Sequence, residues 1–195
     1  MTELLESNHY LIRKKLIKIL GEKFHIYSDD SQENLIGYSH QKPLKIKEDI
    51  RVYTDENESE EIIKIKARNV FDLSGGYDFT DSKTGESLGG VRRNFRKSLI
   101  RDSYSVFDPD NQIYAEIKED RLFSAIIRRI LPPTKLFFPQ EFALDFPGNP
   151  PIRFTQKINP VIQKLSVDIS EGNQIDPRII LGAAMVIIAI EGRQG

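Results

Sequence analysis

The C-terminal stretch constrains this chain more than any other. Asp176-Pro177-Arg178 leads into Ile179-Ile180-Leu181-Gly182-Ala183-Ala184-Met185-Val186-Ile187-Ile188-Ala189-Ile190, and Glu191-Gly192 closes the run. Aspartate is a good N-cap and proline suits the first helical position, while Gly192 and the polar tail Arg193-Gln194-Gly195 supply a stop, so the spacing predicts one helix. That helix has no polar face, and a helix apolar all round has to be enclosed by lipid or by protein. From Ile179 to Ile190 it reaches roughly 18 Å, well short of the roughly 30 Å hydrocarbon core of a bilayer. Enclosure by protein is the expectation, and the rest of the chain has to supply the container.

Most of the remaining chain reads as short strands. Thr2 to Asn8 suits a single helical turn packed through Leu4 and Leu5, and Tyr10 to Leu20 suits a helix about as well as two strands around a bend. Phe24-His25-Ile26-Tyr27-Ser28 alternates, the turn-rich Asp29 to Asn34 follows, and Leu35-Ile36-Gly37-Tyr38-Ser39 resumes, which is a hairpin signature. After Arg51-Val52-Tyr53-Thr54 and the acidic loop Asp55 to Glu61, Ile63, Ile65 and Ala67 alternate with Lys64, Lys66 and Arg68, giving one oily and one cationic face. Tyr77–Asp81 with Leu88–Arg93, and Ser103–Phe107 with Ile113–Ile117, form two further hairpins around turn residues. Leu122, Phe123, Ile126, Ile127 and Ile130 instead recur at helical spacing between Asp120 and Pro132-Pro133, which predicts a short amphipathic helix near 120–131. Strands return at Leu136–Phe138, Phe142–Asp145, Ile152–Thr155 and Gln163–Asp168.

About a dozen strands without βαβ alternation or internal repeat have edges to hide, and closing the sheet into a barrel hides them. A closed barrel of that size has an interior too wide for strand side chains alone to fill. The C-terminal helix is the natural plug, each large apolar side chain contributing about 1.5–3 kcal/mol on full burial. The expected architecture is a mainly β, closed, roughly twelve-stranded antiparallel β-barrel around a central hydrophobic α-helix, with residues 1–195 as a single domain. A net charge of −1, from 28 basic and 29 acidic residues, gives no global pull towards nucleic acid or a membrane, so electrostatic function has to be local. The absence of cysteine removes thiol catalysis, thiolate metal sites and disulfides together. Acids near the N-terminus, where a signal peptide carries bases, make a cytoplasmic protein the expectation.

This arrangement resembles the LURF-one-related family, which shares the tubby C-terminal-like and phospholipid scramblase-like barrel. The resemblance runs over nearly the whole chain: Phe24 to Tyr27, Lys47 to Asp55, Gly76 to Asp81, Gly89 to Ser98 and the terminal Asp176 to Ile190, in that order. It implies a twelve-stranded barrel around a hydrophobic C-terminal helix and a binding module, not a catalyst. Within the superfamily, tubby-like members bind phosphoinositide head groups and scramblases are linked to calcium and lipid, whereas the LURF-one branch has no settled role.

The densest local feature is basic. Arg92, Arg93, Arg96, Lys97 and Arg101 fall in the segment Leu88 to Arg101, which contains no acid. Such a cluster holds phosphate through charge-assisted hydrogen bonds, which points to anionic lipid head groups or a membrane surface; the other reading is a solvated strand face paired with the acidic loop at Asp55 to Glu61. A protein partner without lipid, and a scramblase-like calcium-dependent membrane protein, are further readings; no nucleic acid, cofactor or metal is expected. Asp108, Asp110, Gln112 and Glu119 sit at EF-hand positions, but Ile113 stands where that loop needs glycine. Asp168, Ser170, Glu171, Asn173 and Asp176 occupy the place of the scramblase calcium segment with fewer acids. His9, His25 and His40 stand alone, and no GxSxG, Walker loop or GxGxxG occurs, so enzyme activity is not expected. Gly75-Gly76 and Gly89-Gly90 sit at strand starts, where glycine allows close backbone approach.

Overall fold

The computed structural model describes residues 2–17, 21–41, 49–68, 76–94, 103–119, 140–157 and 162–191. A single turn, α1 (Glu3–Glu6), precedes twelve strands: β1 (His9–Ile17), β2 (Gly21–Tyr27), β3 (Leu35–Gln41), β4 (Asp49–Tyr53), β5 (Glu61–Ala67), β6 (Tyr77–Asp81), β7 (Ser87–Arg93), β8 (Ser103–Phe107), β9 (Ile113–Glu119), β10 (Gln140–Asp145), β11 (Ile152–Lys157) and β12 (Ile162–Ile169). The helix α2 (Pro177–Glu191) follows. Each strand pairs antiparallel with its sequence neighbours, and β1 pairs with β12, so the barrel is closed. Tyr10 to Ile17 belongs to one strand, β1, with β2 starting at Gly21; period-two burial in Tyr10, Ile12 and Lys14 resolves the ambiguity of that tract. The amphipathic segment near 120–131 and the strand at Leu136–Phe138 lie outside the described residues.

Up-and-down antiparallel order gives the barrel two distinct ends. At one, the helix rim, lie α1, the turns after β2, β4, β6, β8 and β10, and the segment after β12 that starts α2. At the other, the far rim, β1, β3, β5, β7, β9 and β11 end and their even-numbered partners begin. From the helix rim α2 runs about 22 Å, which matches a seven-residue strand of about 23 Å, so one helix threads the length of the barrel.

Strand alternation fills the space around it. Ile12, Phe24, Ile26, Val52, Ile63, Ile65, Phe79, Val91, Phe142, Phe154, Leu165 and Val167 point inward and share one core with Ile180 to Ala189 of the helix. The helix packs on β5, β6, β7, β12 and β1. It is buried on every side: each residue from Ile180 to Ala189 is enclosed. Gly182 explains how the wall comes so close, since a Cβ there would meet the Phe79 ring at 2.7 Å. Leu4 of α1 is also fully buried and Tyr10 donates to its carbonyl at 2.9 Å, so the N-terminal turn closes part of the helix rim.

Two outcomes follow from this packing. Gly182→Val forces the added methyls into Phe79 and lowers stability by about 1–3 kcal/mol, seen as a reduced urea midpoint with an unchanged slope. Deletion of residues 179–195 removes the core and yields an aggregating chain with no cooperative melt; a soluble truncation with an intact melt would place the helix outside the core.

Candidate functional site

The strand register decides where the sequence-predicted cations go. Arg92 and Arg93 are adjacent in β7, so they face opposite sides of the wall. Arg92 is exposed, and its guanidinium lies 5.8 Å from the Phe107 ring centre. Arg93 points inward with its cross-strand partner Tyr104 and is only 8 % exposed. Arg96, Lys97 and Arg101 lie outside the described residues. The acidic loop Asp55 to Glu61 follows β4 at the helix rim, so it is not the partner of Arg92 or Arg93. It is used locally instead. Glu56 bonds His25 Nε2 at 2.9 Å, Glu61 accepts from Arg51 at 3.1 Å, and Asp55 caps its own turn through Asn57 and Ser59. The Gly89-Gly90 pair serves packing: a Cβ on Gly90 would meet Phe107 Cζ at 2.7 Å, and that ring is sealed from outside by Arg68, 4.3 Å from its centre, and by Arg92.

Calcium geometry does not assemble from the candidate acids. Asp108 closes the β8–β9 turn, accepting from the Gln112 amide at 2.8 Å, while Glu119 stands at the other end of β9, about 20 Å along the strand. Near the helix, Asp168 pairs with His9 at 2.8 Å, the Asn173 side chain donates to the Pro150 carbonyl at 3.0 Å, and Asp176 caps α2 by accepting from the Arg178 amide at 2.9 Å. Among the described residues, no helix is long and apolar enough to cross a membrane.

Sequence reasoning missed a polar layer inside the far rim. Lys14, Glu22, Gln41, Gln156 and Gln163 all point inward, and each is 7 % exposed or less. Register joins them, because Gln163 lies opposite Lys14 and Glu22 opposite Gln41, on neighbouring strands. Lys14 Nζ is 3.1 Å from Glu22 Oε2 and 5.7 Å from the Phe24 ring centre. Among the described residues, the amides of Gln41 and Gln156 make no hydrogen bond. Arg93 belongs to this inner layer, on the far side of the wall from Arg92. The one signal in the sequence was Arg13-Lys14-Lys15, three cations in a row, whose middle member has to go inward once the tract is a strand.

Acids crowd the turns of the helix rim, although Asp49, Asp78, Glu119 and Glu141 stand at the far-rim ends of their strands. The helix rim carries Asp29, Asp30 and Glu33 after β2, Asp55, Glu56, Glu58 and Glu60 after β4, and Asp108 and Asp110 after β8. One ion network there holds the helix in place: Arg178 pairs with Asp81 of β6 and with Asp176. Burial pushes the Asp81 carboxyl up, but the Thr84 and Lys83 amides and the Arg178 charge outweigh it and hold the group below the usual range. Asp176 behaves alike, with burial opposed by hydrogen bonds and charge from Arg178. Burial, with the Asp176 charge second, raises Tyr10 well above an ordinary phenol, and burial, with the Asp108 charge second, raises Tyr114 to about 12. Comparison with protein-family models and with curated proteins finds no match for the chain.

Arg178→Met leaves Asp81 and Asp176 without their shared cation and lowers stability by about 1–3 kcal/mol in chemical denaturation. Because both carboxyls are depressed, the stability they add is full above the ordinary value of 3.8 and is lost as pH falls through their folded-state values. The wild-type melting temperature therefore drops steeply below about pH 4, and the Asp81→Asn variant, weaker at neutral pH, loses less over the same range. Gln156→Leu removes a buried amide with no hydrogen bond and raises stability by about 1–3 kcal/mol; a destabilised variant would mean that the amide has a partner.

Proposed function

We propose that the chain is a non-enzymatic binding module of the LURF-one/scramblase-like type, cytoplasmic and peripheral to membranes, which takes up anionic lipid head groups through the basic cluster, Arg92, Arg96, Lys97 and Arg101 making the contact and Arg93 being its inward-facing member. The observation that carries this reading is that β7 takes the cluster away from the acidic turns of the helix rim. Acidic turns gather at the helix rim, while β7 leads Arg92 and Arg93 towards the far rim, into a connection whose sequence adds Arg96, Lys97 and Arg101. The nearest acidic loop in sequence, Asp55 to Glu61, is occupied at the opposite end, so the cluster is not accounted for by pairing with it. Planar guanidinium groups suit bidentate contact with phosphate oxygens. Within the cluster the roles differ: Arg92 is available for surface contact, whereas Arg93 is an inner-layer residue whose reversal would damage the barrel.

The test is vesicle flotation with wild type and an Arg92→Glu/Arg96→Glu/Lys97→Glu variant that leaves Arg93 alone. Wild type floats with vesicles containing phosphatidylserine and not with neutral ones, and the variant loses at least about tenfold in bound fraction. Equal flotation of the two proteins, or none by either, ends the lipid reading. A polypeptide that co-purifies regardless of lipid would favour a protein-partner scaffold.

A further inference from the structure

Four further cations meet on the outer wall where β12, β1 and β2 adjoin. Arg13 lies directly opposite Lys164, and Lys15 directly opposite Lys23. Like charges opposite one another across a ladder are destabilising, so this arrangement costs the isolated barrel stability. It is not relieved locally: among the described residues, the charged outward positions of β1 and β2 hold only cations and histidine, namely His9, Arg13, Lys15, Lys23 and His25. The nearby acids, Asp168 and Glu56, are engaged by His9 at 2.8 Å and His25 at 2.9 Å. Arg13 Nε is closed off from solvent and makes no hydrogen bond among the described residues. On other parts of the outer wall several cations have an acid beside them, Arg68 with Asp78 at 2.7 Å, Lys118 with Glu116 at 2.8 Å, and Arg51, which also lies opposite Lys64, with Asp49 and Glu61.

We propose that this wall is a second contact surface for an anionic bilayer, and that the barrel docks by its far rim with the acidic helix rim turned away. The inference rests on the lipid-binding reading above and extends it, because β1 and β7 stand on opposite sides of the closed strand order. Lys15, Lys23 and Lys164 all sit near the far-rim ends of their strands, so a planar partner on that side meets the three together. A nucleic acid strand is a poorer match: the wall is convex, and its best-placed aromatic, Tyr38, is only 4 % exposed and offers no stacking platform. Cations held near an anionic surface each strengthen binding several-fold, and the effect is confined to about a Debye length.

Lys15→Glu/Lys164→Glu tests this without endangering the fold, since it places one carboxylate opposite Lys23 and another opposite Arg13. Its melting temperature should equal or exceed that of wild type, and Lys15→Gln/Lys164→Gln serves if it does not. With phosphatidylserine vesicles the expected result is a loss of about tenfold or more in bound fraction, with Lys83→Glu at the helix rim unchanged. If the wall variants float like wild type while Arg92→Glu/Arg96→Glu/Lys97→Glu does not, the wall is no contact surface and the cluster reading stands. If wild type does not float, both fall. A loss in Lys83→Glu as large as in the wall variants would mean unoriented attraction and would overturn the docking geometry.

Discussion

A helix without a polar face is the constraint on which this structure depends. Every residue from Ile180 to Ala189 has to be covered, and covering a cylinder on all sides requires a closed wall. An open sheet would leave half of the helix in water. Closure also removes the strand edges, so one arrangement answers two liabilities. The point of entry is held electrostatically as well as by packing. Asp81 receives the β6–β7 turn amides and also the guanidinium of Arg178, so the wall turn and the first turn of the helix share one carboxylate.

The interior changes character along its length. From the helix rim inward the lining is aliphatic and aromatic, but the last described layer before the far rim holds Lys14, Glu22, Gln41, Gln156 and Gln163. Strand formation does not require these side chains, because leucine in the same inward positions would keep the alternation. A buried ion pair such as Lys14–Glu22 at 3.1 Å recovers its desolvation cost only with good geometry and further hydrogen bonds, and unbonded amides recover less. The amides of Gln41 and Gln156, without a hydrogen bond among the described residues, therefore cost stability at one end of the barrel, the end towards which β7 carries the start of the basic sequence cluster.

Most of the architecture was legible in the sequence. Asp176 and Pro177 marked the helix start, the alternation at Ile63, Ile65 and Ala67 marked a wall strand, and the turns at Asp29 to Asn34 and Asp108 to Gln112 marked hairpins. These signals are local, and each is complete within a few residues. The tract from Tyr10 was ambiguous because Lys14 breaks the oily alternation of Tyr10 and Ile12; only pairing with β2 and β12 shows a lysine accommodated inward. The candidate site was less legible for a related reason. A run of cations in sequence is split by strand geometry, which sends Arg92 out and Arg93 in, while Arg13, Lys15, Lys23 and Lys164 are distributed over three strands and become neighbours only through register.

The same geometry changes what a net charge of −1 means. Nearly balanced totals of 28 basic and 29 acidic residues suggest a molecule indifferent to charged surfaces. That inference holds only if the charges are mixed on the scale over which they are screened, about 8 Å at physiological ionic strength. The barrel is roughly 20 Å long, judged from the span of its strands, so its two rims lie more than one screening length apart. A surface near the far rim experiences the lysines and arginines there together with Asp49, Asp78, Glu119 and Glu141, and little of Asp29 or Asp55 at the helix rim. Such a body is close to neutral in total but unevenly charged over its surface, so its faces differ in local charge. Orientation, and not affinity alone, is what this distribution of charge controls.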